Sequence, residues 1–114
     1  MRILHIEDEV WDSGIAHYAL TLAGALKSRG HEVFFWGRPG SVPCLKAREL
    51  GLAVEEVSKP WLSLPRLRAA VKELGVEVIN SHTGSSHSLA AAVAAGLKVP
   101  VVRTRGDARP PSNN

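Results

Sequence analysis

Short apolar runs alternate with stretches in which apolar residues return every three or four positions. Arg2 to Ile6 is an apolar run of the length and composition of a buried strand. Gly14 to Arg29 follows with Ile15, Ala19, Leu22 and Leu26 on one helical stripe, Ser13 as a fitting N-cap and Gly30 as a stop. His31 to Trp36 is almost continuously apolar, as expected of a strand covered on both faces of a parallel sheet. Ser41 caps a short helix over Val42 to Leu50, closed by Gly51, and Leu52 to Val57 is a third, weaker strand. Lys59-Pro60 breaks the chain. Ser63 then caps a helix over Leu64 to Leu74, with Leu64, Leu67, Val71 and Leu74 on one face and Gly75 at its end. Val76 to Asn80, an alanine-rich helix over Ser86 to Ala95, and a strand over Val99 to Arg103 complete the series.

Strand and helix alternate throughout, which predicts an α/β fold: a doubly wound parallel sheet of about five strands with right-handed crossovers. Residues 1–104 read as one Rossmann-like domain, and 105–114 as an irregular tail rich in Pro, Arg and Asn. Ligands of such sheets sit beyond the carboxyl ends of the strands, at the switch point. Loops after the first, fourth and fifth strands should face one crevice. They hold Trp11, Asp12, Ser13 and Gly14, then Ser81 to Ser85, then Thr104 to Asp107. Polar, charged and small residues gather there while the strands stay apolar.

Composition narrows the class. The 114 residues are 45% hydrophobic and 22% charged, ordinary for a globular domain. A formal charge of +3 suits an anionic ligand or surface and is too mild to argue for nucleic acid. The single Cys44 excludes an internal disulfide and fits a reducing, cytoplasmic setting. The N-terminus carries no secretory pattern, and the longest apolar stretch, Leu89 to Leu97, is about half of a membrane span.

Gly14, opening a helix beside the first strand, can bring phosphate to free backbone amides, or it can serve turn geometry alone. His82 can bind a ligand hydroxyl or a neighbouring loop, and His17 can face the crevice or the surface. Arg103 and Arg105 alternate at a strand end and can hold a phosphate or acidic group as a pair, or be solvated. His5 reads as a core histidine satisfied from within. His82 and His87 are badly spaced for a shared metal, and no carboxylate stands near them in sequence. Trp61 with Lys59, Arg66, Arg68 and Lys72 fits either a peripheral membrane contact or an ordinary amphipathic surface helix. No Gly-x-Gly-x-x-Gly follows the first strand, which argues against a dinucleotide-binding dehydrogenase. The acidic Glu7-Asp8-Glu9 superficially matches a receiver domain, but Glu55-Glu56-Val57 and Arg103-Thr104-Arg105 occupy the places where a receiver needs its aspartate and lysine. A non-catalytic module pairing through an open sheet edge remains a second alternative.

The segment from Ser13 to Val33 resembles the opening of family 4 glycosyltransferases, above all in Leu22 to Val33 with its Arg29-Gly30-His31-Glu32-Val33 ending. Val78 to His82 is similar to that family's fourth strand and His-x-His loop, and Val99 to Asp107 to its fifth strand. The resemblance runs from Met1 to Asp107. It implies an acceptor-side Rossmann-like domain, incomplete by one or more strands, of a retaining GT-B enzyme that uses a nucleotide-sugar donor, a glycan or lipid-linked acceptor, and no metal or other cofactor. It also implies a second, donor-binding domain outside this chain, so that these 114 residues alone would be inactive. Cell-envelope polysaccharide synthesis is the expected setting, in the cytoplasm or at the inner membrane face. Carried over residue by residue, Ser13 and Gly14 would approach the donor phosphates. Trp11, His17, His82, Thr83, Arg103 and Arg105 would line the acceptor side, with Asp107 as a candidate catalytic group. Ser13 departs from the family's first loop glycine, Ala16 and His17 from its Glu and Arg, and Gly106 from its histidine.

Overall fold

The computed structural model describes residues 1–8, 14–82 and 84–103. Nine elements alternate along them: β1 (Arg2–Ile6), α1 (Gly14–Ser28), β2 (Glu32–Gly37), α2 (Val42–Glu49), β3 (Ala53–Glu56), α3 (Leu64–Leu74), β4 (Val78–Ser81), α4 (Gly84–Ala94) and β5 (Val101–Arg103). The strands form one sheet in the order β3-β2-β1-β4-β5, every pairing parallel. The expected doubly wound α/β sheet is therefore present, and its switch point lies between β1 and β4. The same order removes the receiver alternative, because a receiver sheet runs 2-1-3-4-5.

Period-two alternation sends the two sides of each strand into separate cores. Leu4, Ile6, Trp36 and Ile79 meet Leu67 and Val71 of α3 and Leu89, Ala90 and Val93 of α4. On the opposite face Val33 and Phe35 meet Leu20 and Ala23 of α1 and Cys44 and Ala47 of α2. α1 keeps part of the expected stripe, with Ala19 buried and Leu26 packed on the core, and shifts the rest. Ala16, Ala19, Leu20 and Ala23 are buried, and Leu22 is only half-buried. Alanines at three of those four positions let the helix backbone lie close to the sheet, which the larger Leu22 face would hold off.

Caps behave differently at two similar starts. Ser41 has extended backbone, and its hydroxyl accepts from the Cys44 amide at 3.3 Å. Ser63 makes no such bond, contrary to expectation: at φ −102° and ψ 13° it lacks the extended backbone from which a cap hydroxyl reaches the amides that follow. Pro65 at the second helical position also lacks the amide that a cap oxygen would take. Helix α3 is instead closed at its other end by Gly75, at φ 66°, whose amide donates to the carbonyls of Lys72 and Val71. α4 starts at Gly84 and not at Ser86, since the Ser86 hydroxyl turns back inside the first turn to accept from the His82 amide. β3, β4 and β5 each begin one or two residues later than their apolar runs suggest.

Gly37 ends β2 in a crowded spot. A Cβ there would lie 2.7 Å from Cys44 Sγ and 3.3 Å from the Glu7 carbonyl oxygen. That close approach packs the β2 end against the chain leaving β1, where Glu7 N–H donates to the Trp36 carbonyl at 3.1 Å.

Candidate functional site

The C-terminal ends of β1 and β4 lie side by side, with Ile6 paired to Ser81. Around this switch point the described polar side chains are bonded to one another. The His82 amide donates to the Ile6 carbonyl (3.3 Å) and to Ser86 Oγ (3.2 Å), fixing the start of the loop to both the sheet and α4. Ser81 Oγ lies 3.1 Å from His87 Nδ1. Ser85 Oγ donates to Asp8 Oδ2, tying the first turn of α4 to the loop after β1.

Beneath them, the His5 and His82 rings meet edge to edge, with 5.1 Å between ring centroids and 20° between ring planes. His5 Nδ1 lies 2.9 Å from His82 Nε2. Both rings are buried. Burial, reinforced by the neighbouring His82, pushes His5 down to about 3, and burial alone pushes His82 down to about 4. Both are neutral at pH 7. The expectation that His5 is a satisfied core histidine is only half met: Nδ1 is bonded, but buried Nε2 has no partner among the described residues.

At the ends of β1 and β2, a cavity of about 160 Å³ is lined by Ile6, Glu7, Trp36, Arg38, Val57 and Leu89, among others. It joins an apolar wall to buried Glu7 and exposed Arg38. Among the described residues no cluster of three or more His, Cys, Asp or Glu could hold a metal.

Gly14, as the first residue of α1, lies on this same carboxyl edge, and no described atom comes within 4 Å of where its Cβ would be. Arg103 ends β5 on the same edge, exposed and in register with Ser81. Gly14, His82 and Arg103 thus share one end of the sheet, as the loop argument required. His17 is exposed in the first turn of α1 and lines the groove between α1 and α2 with Thr21, Lys46 and Leu50. Trp11, Ser13, Thr83, Arg105 and Asp107 lie outside the described residues, as does the 105–114 tail. Sequence reasoning missed the His5–His82 contact and the Trp36–Leu89 cavity. The one available signal was a histidine at an inward position of an otherwise apolar strand.

The profile of Glycosyltransferase Family 4 matches residues 13–105. Among solved structures, the chain is similar to MurG of Acinetobacter baumannii, with a TM-score of 0.75 and 14% identity, over 92% of this chain and 35% of that one. It is similar to a glycosyltransferase of Rickettsia africae ESF-5, with a TM-score of 0.77 and 11% identity, over 90% of this chain and 28% of that one. A third likeness is to Anabaena Alr3699/HepE, solved in complex with UDP, with a TM-score of 0.74 and 15% identity, over 90% of this chain and 29% of that one. At these identities the likeness establishes the fold. This chain spans about a third of the length of those proteins. No curated protein sequence matches it significantly.

Proposed function

Starting from the fact that this chain belongs to glycosyltransferase family 4, we propose that it is the acceptor-side domain of a GT-B enzyme that moves a sugar from a nucleotide-sugar donor to a glycan or lipid-linked acceptor. A separate donor-binding Rossmann domain faces it across the crevice. The observation that carries this reading is the gathering of Gly14, His82 and Arg103 on the carboxyl edge of one sheet, beside the β1/β4 switch point. In it, the open space at Gly14 lets the donor diphosphate come up to the first amides of α1. The helix dipole and nearby basic groups offset charge on the leaving phosphate, so no metal is needed. Ser13 contributes at the same phosphates. The acceptor lies against His82, with Arg103, Trp11, Thr83 and Arg105 as further contacts and His17 at the α1 flank. Asp107 orients or deprotonates the attacking hydroxyl, and transfer proceeds with retention of configuration.

The expected setting is cytoplasmic, in cell-envelope polysaccharide synthesis, with peripheral contact at the inner membrane face. None of the described helices is long and apolar enough to cross a membrane. Trp61 and Leu62 are 56% and 79% exposed and stand between Lys59 and Arg66, which supports shallow insertion into an anionic surface. Arg66 is already paired with Glu55, so Lys59 is the nearer source of attraction.

Transfer itself is the test. In a protein that pairs this domain with its donor-binding partner, Gly14→Val is expected to lower kcat/KM for the nucleotide sugar by about tenfold or more, equivalent to roughly 1.4 kcal/mol or more of transition-state binding. An unchanged value would remove Gly14 from the donor site.

A further inference from the structure

His82 Nε2 and His5 Nδ1 are 2.9 Å apart, and both rings are neutral, so only one of the two nitrogens carries the proton between them. The unpartnered, buried Nε2 of His5 decides which. If His82 were the donor, His5 would carry its own proton on Nε2 and bury an orphaned N–H. If His5 is the donor, Nε2 is left with a bare lone pair. Orphaned N–H groups are the rarer arrangement in protein interiors. The proton therefore sits on His5 Nδ1. His82 then accepts at Nε2 and must hold its own proton on Nδ1, because the bond one ring nitrogen makes sets the state of the other.

We infer that His5 is a positioning residue for His82: its Nδ1–H bond to His82 Nε2 pins that ring at the switch point as the Nδ1–H tautomer, so that His82 meets substrate as a hydrogen-bond donor and not as a base. The inference rests on His82 belonging to the transfer site. It deepens that reading by assigning the ligand chemistry, an oxygen acceptor such as a phosphate oxygen or the lone pair of a sugar hydroxyl. The backbone supports the same ring: the His82 amide is held by Ile6 and Ser86, so the loop cannot swing the imidazole without breaking two further bonds. His5, by contrast, is wholly buried in β1, between Phe35 and Asn80 of the neighbouring strands, and acts only through His82.

The test uses the ¹⁵N-labelled 114-residue chain and two-bond proton–nitrogen NMR spectra of its imidazoles at pH 7. His82 should show a protonated Nδ1 and a lone pair on Nε2, and His5 the same pattern. His5→Asn, which keeps an amide donor close to the Nδ1 position, should preserve the His82 pattern. His5→Phe, which keeps the ring volume and removes the donor, should convert His82 to a mixture of tautomers. A His82 proton found on Nε2 in the unsubstituted chain overturns the assignment, whether or not any variant folds. In the transfer assay, His5→Phe should lower kcat at least tenfold with little change in donor KM, and His5→Asn should restore most of it. A full-rate His5→Phe removes the positioning role. A full-rate His82→Ala instead removes His82 from the site, leaving the tautomer result intact, so the two failures are told apart.

Discussion

Gly37 shows how one missing methyl sets the geometry beside the site. A Cβ there would press on Cys44 Sγ at 2.7 Å, on the Phe35 ring at 3.1 Å and on the Glu7 carbonyl. Gly37→Ala should therefore destabilise the fold by about 1–3 kcal/mol in urea titration, with Cys44→Ala in the same chain recovering part of the loss. A neutral Gly37→Ala would mean that the β2 end yields freely. His5 and His82 give the second prediction at this scale. Their folded values, about 3 and about 4, lie below the ordinary 6.5, so the unfolded chain binds protons that the folded chain refuses. Their contribution is fully present above pH 6.5 and is lost as pH falls from there toward about 4 for His82 and about 3 for His5. The slope approaches about 1.4 kcal/mol per pH unit for each ring. Unfolding free energy measured from pH 7 to 5 should fall steeply, and His5→Phe should flatten the curve; equal slopes in both chains would contradict the shared cause. Neither effect was legible in the sequence. His5 and His82 are 77 positions apart, and nothing local says that a strand and the loop after another will bring their rings edge to edge. His82 stood out by its place in a loop and by the resemblance to the family's His-x-His loop, neither of which points to His5.

At the scale of elements the pattern carried further. Alternation of apolar runs and amphipathic stretches predicted all nine elements in order, because the inner strands are largely apolar and each helix is stopped by a glycine or a break. Their ends moved by a residue or two wherever a side chain intervened, as Ser86 did at α4. The α1 stripe was misplaced because periodicity rewards large residues, whereas a helix pressed close to a sheet selects small ones, here Ala16, Ala19 and Ala23. The two serine starts make a matched test. Ser41→Ala removes a bond actually made to Cys44 and should cost about 1 kcal/mol. Ser63→Ala removes none and should stay within about 0.5 kcal/mol by the same thermal or chemical denaturation. Equal losses would show that the two caps do the same job in solution.

For the whole molecule, the strand order explains why the candidate site is rigid at one end and open at the other. β1 is flanked by β2 and β4, and its Leu4 and Ile6 sit in the larger core, so the switch point is built on the best-held part of the sheet. β5 has three residues and one neighbour, and its Val102 is 49% exposed. Alternation in the sequence predicted a crevice on the carboxyl edge, but not this gradient, which comes from strand order alone. Native-state hydrogen exchange should follow it. Amides of β1, β2 and β4 should exchange only through global unfolding, whereas those of β5 should exchange through local opening and faster by at least about 100-fold, given the difference of several kcal/mol usual between core and fraying segments. If β5 proved as protected as β1, something must cover that edge in solution, and the open-sheet pairing module would regain ground over a lone acceptor domain. If β5 exchanges fast while His82 and its Ile6 anchor stay protected, the imidazole pair is held in place before any partner arrives. Arg103, at the loose edge, is then the element of the site that substrate or a second domain must order.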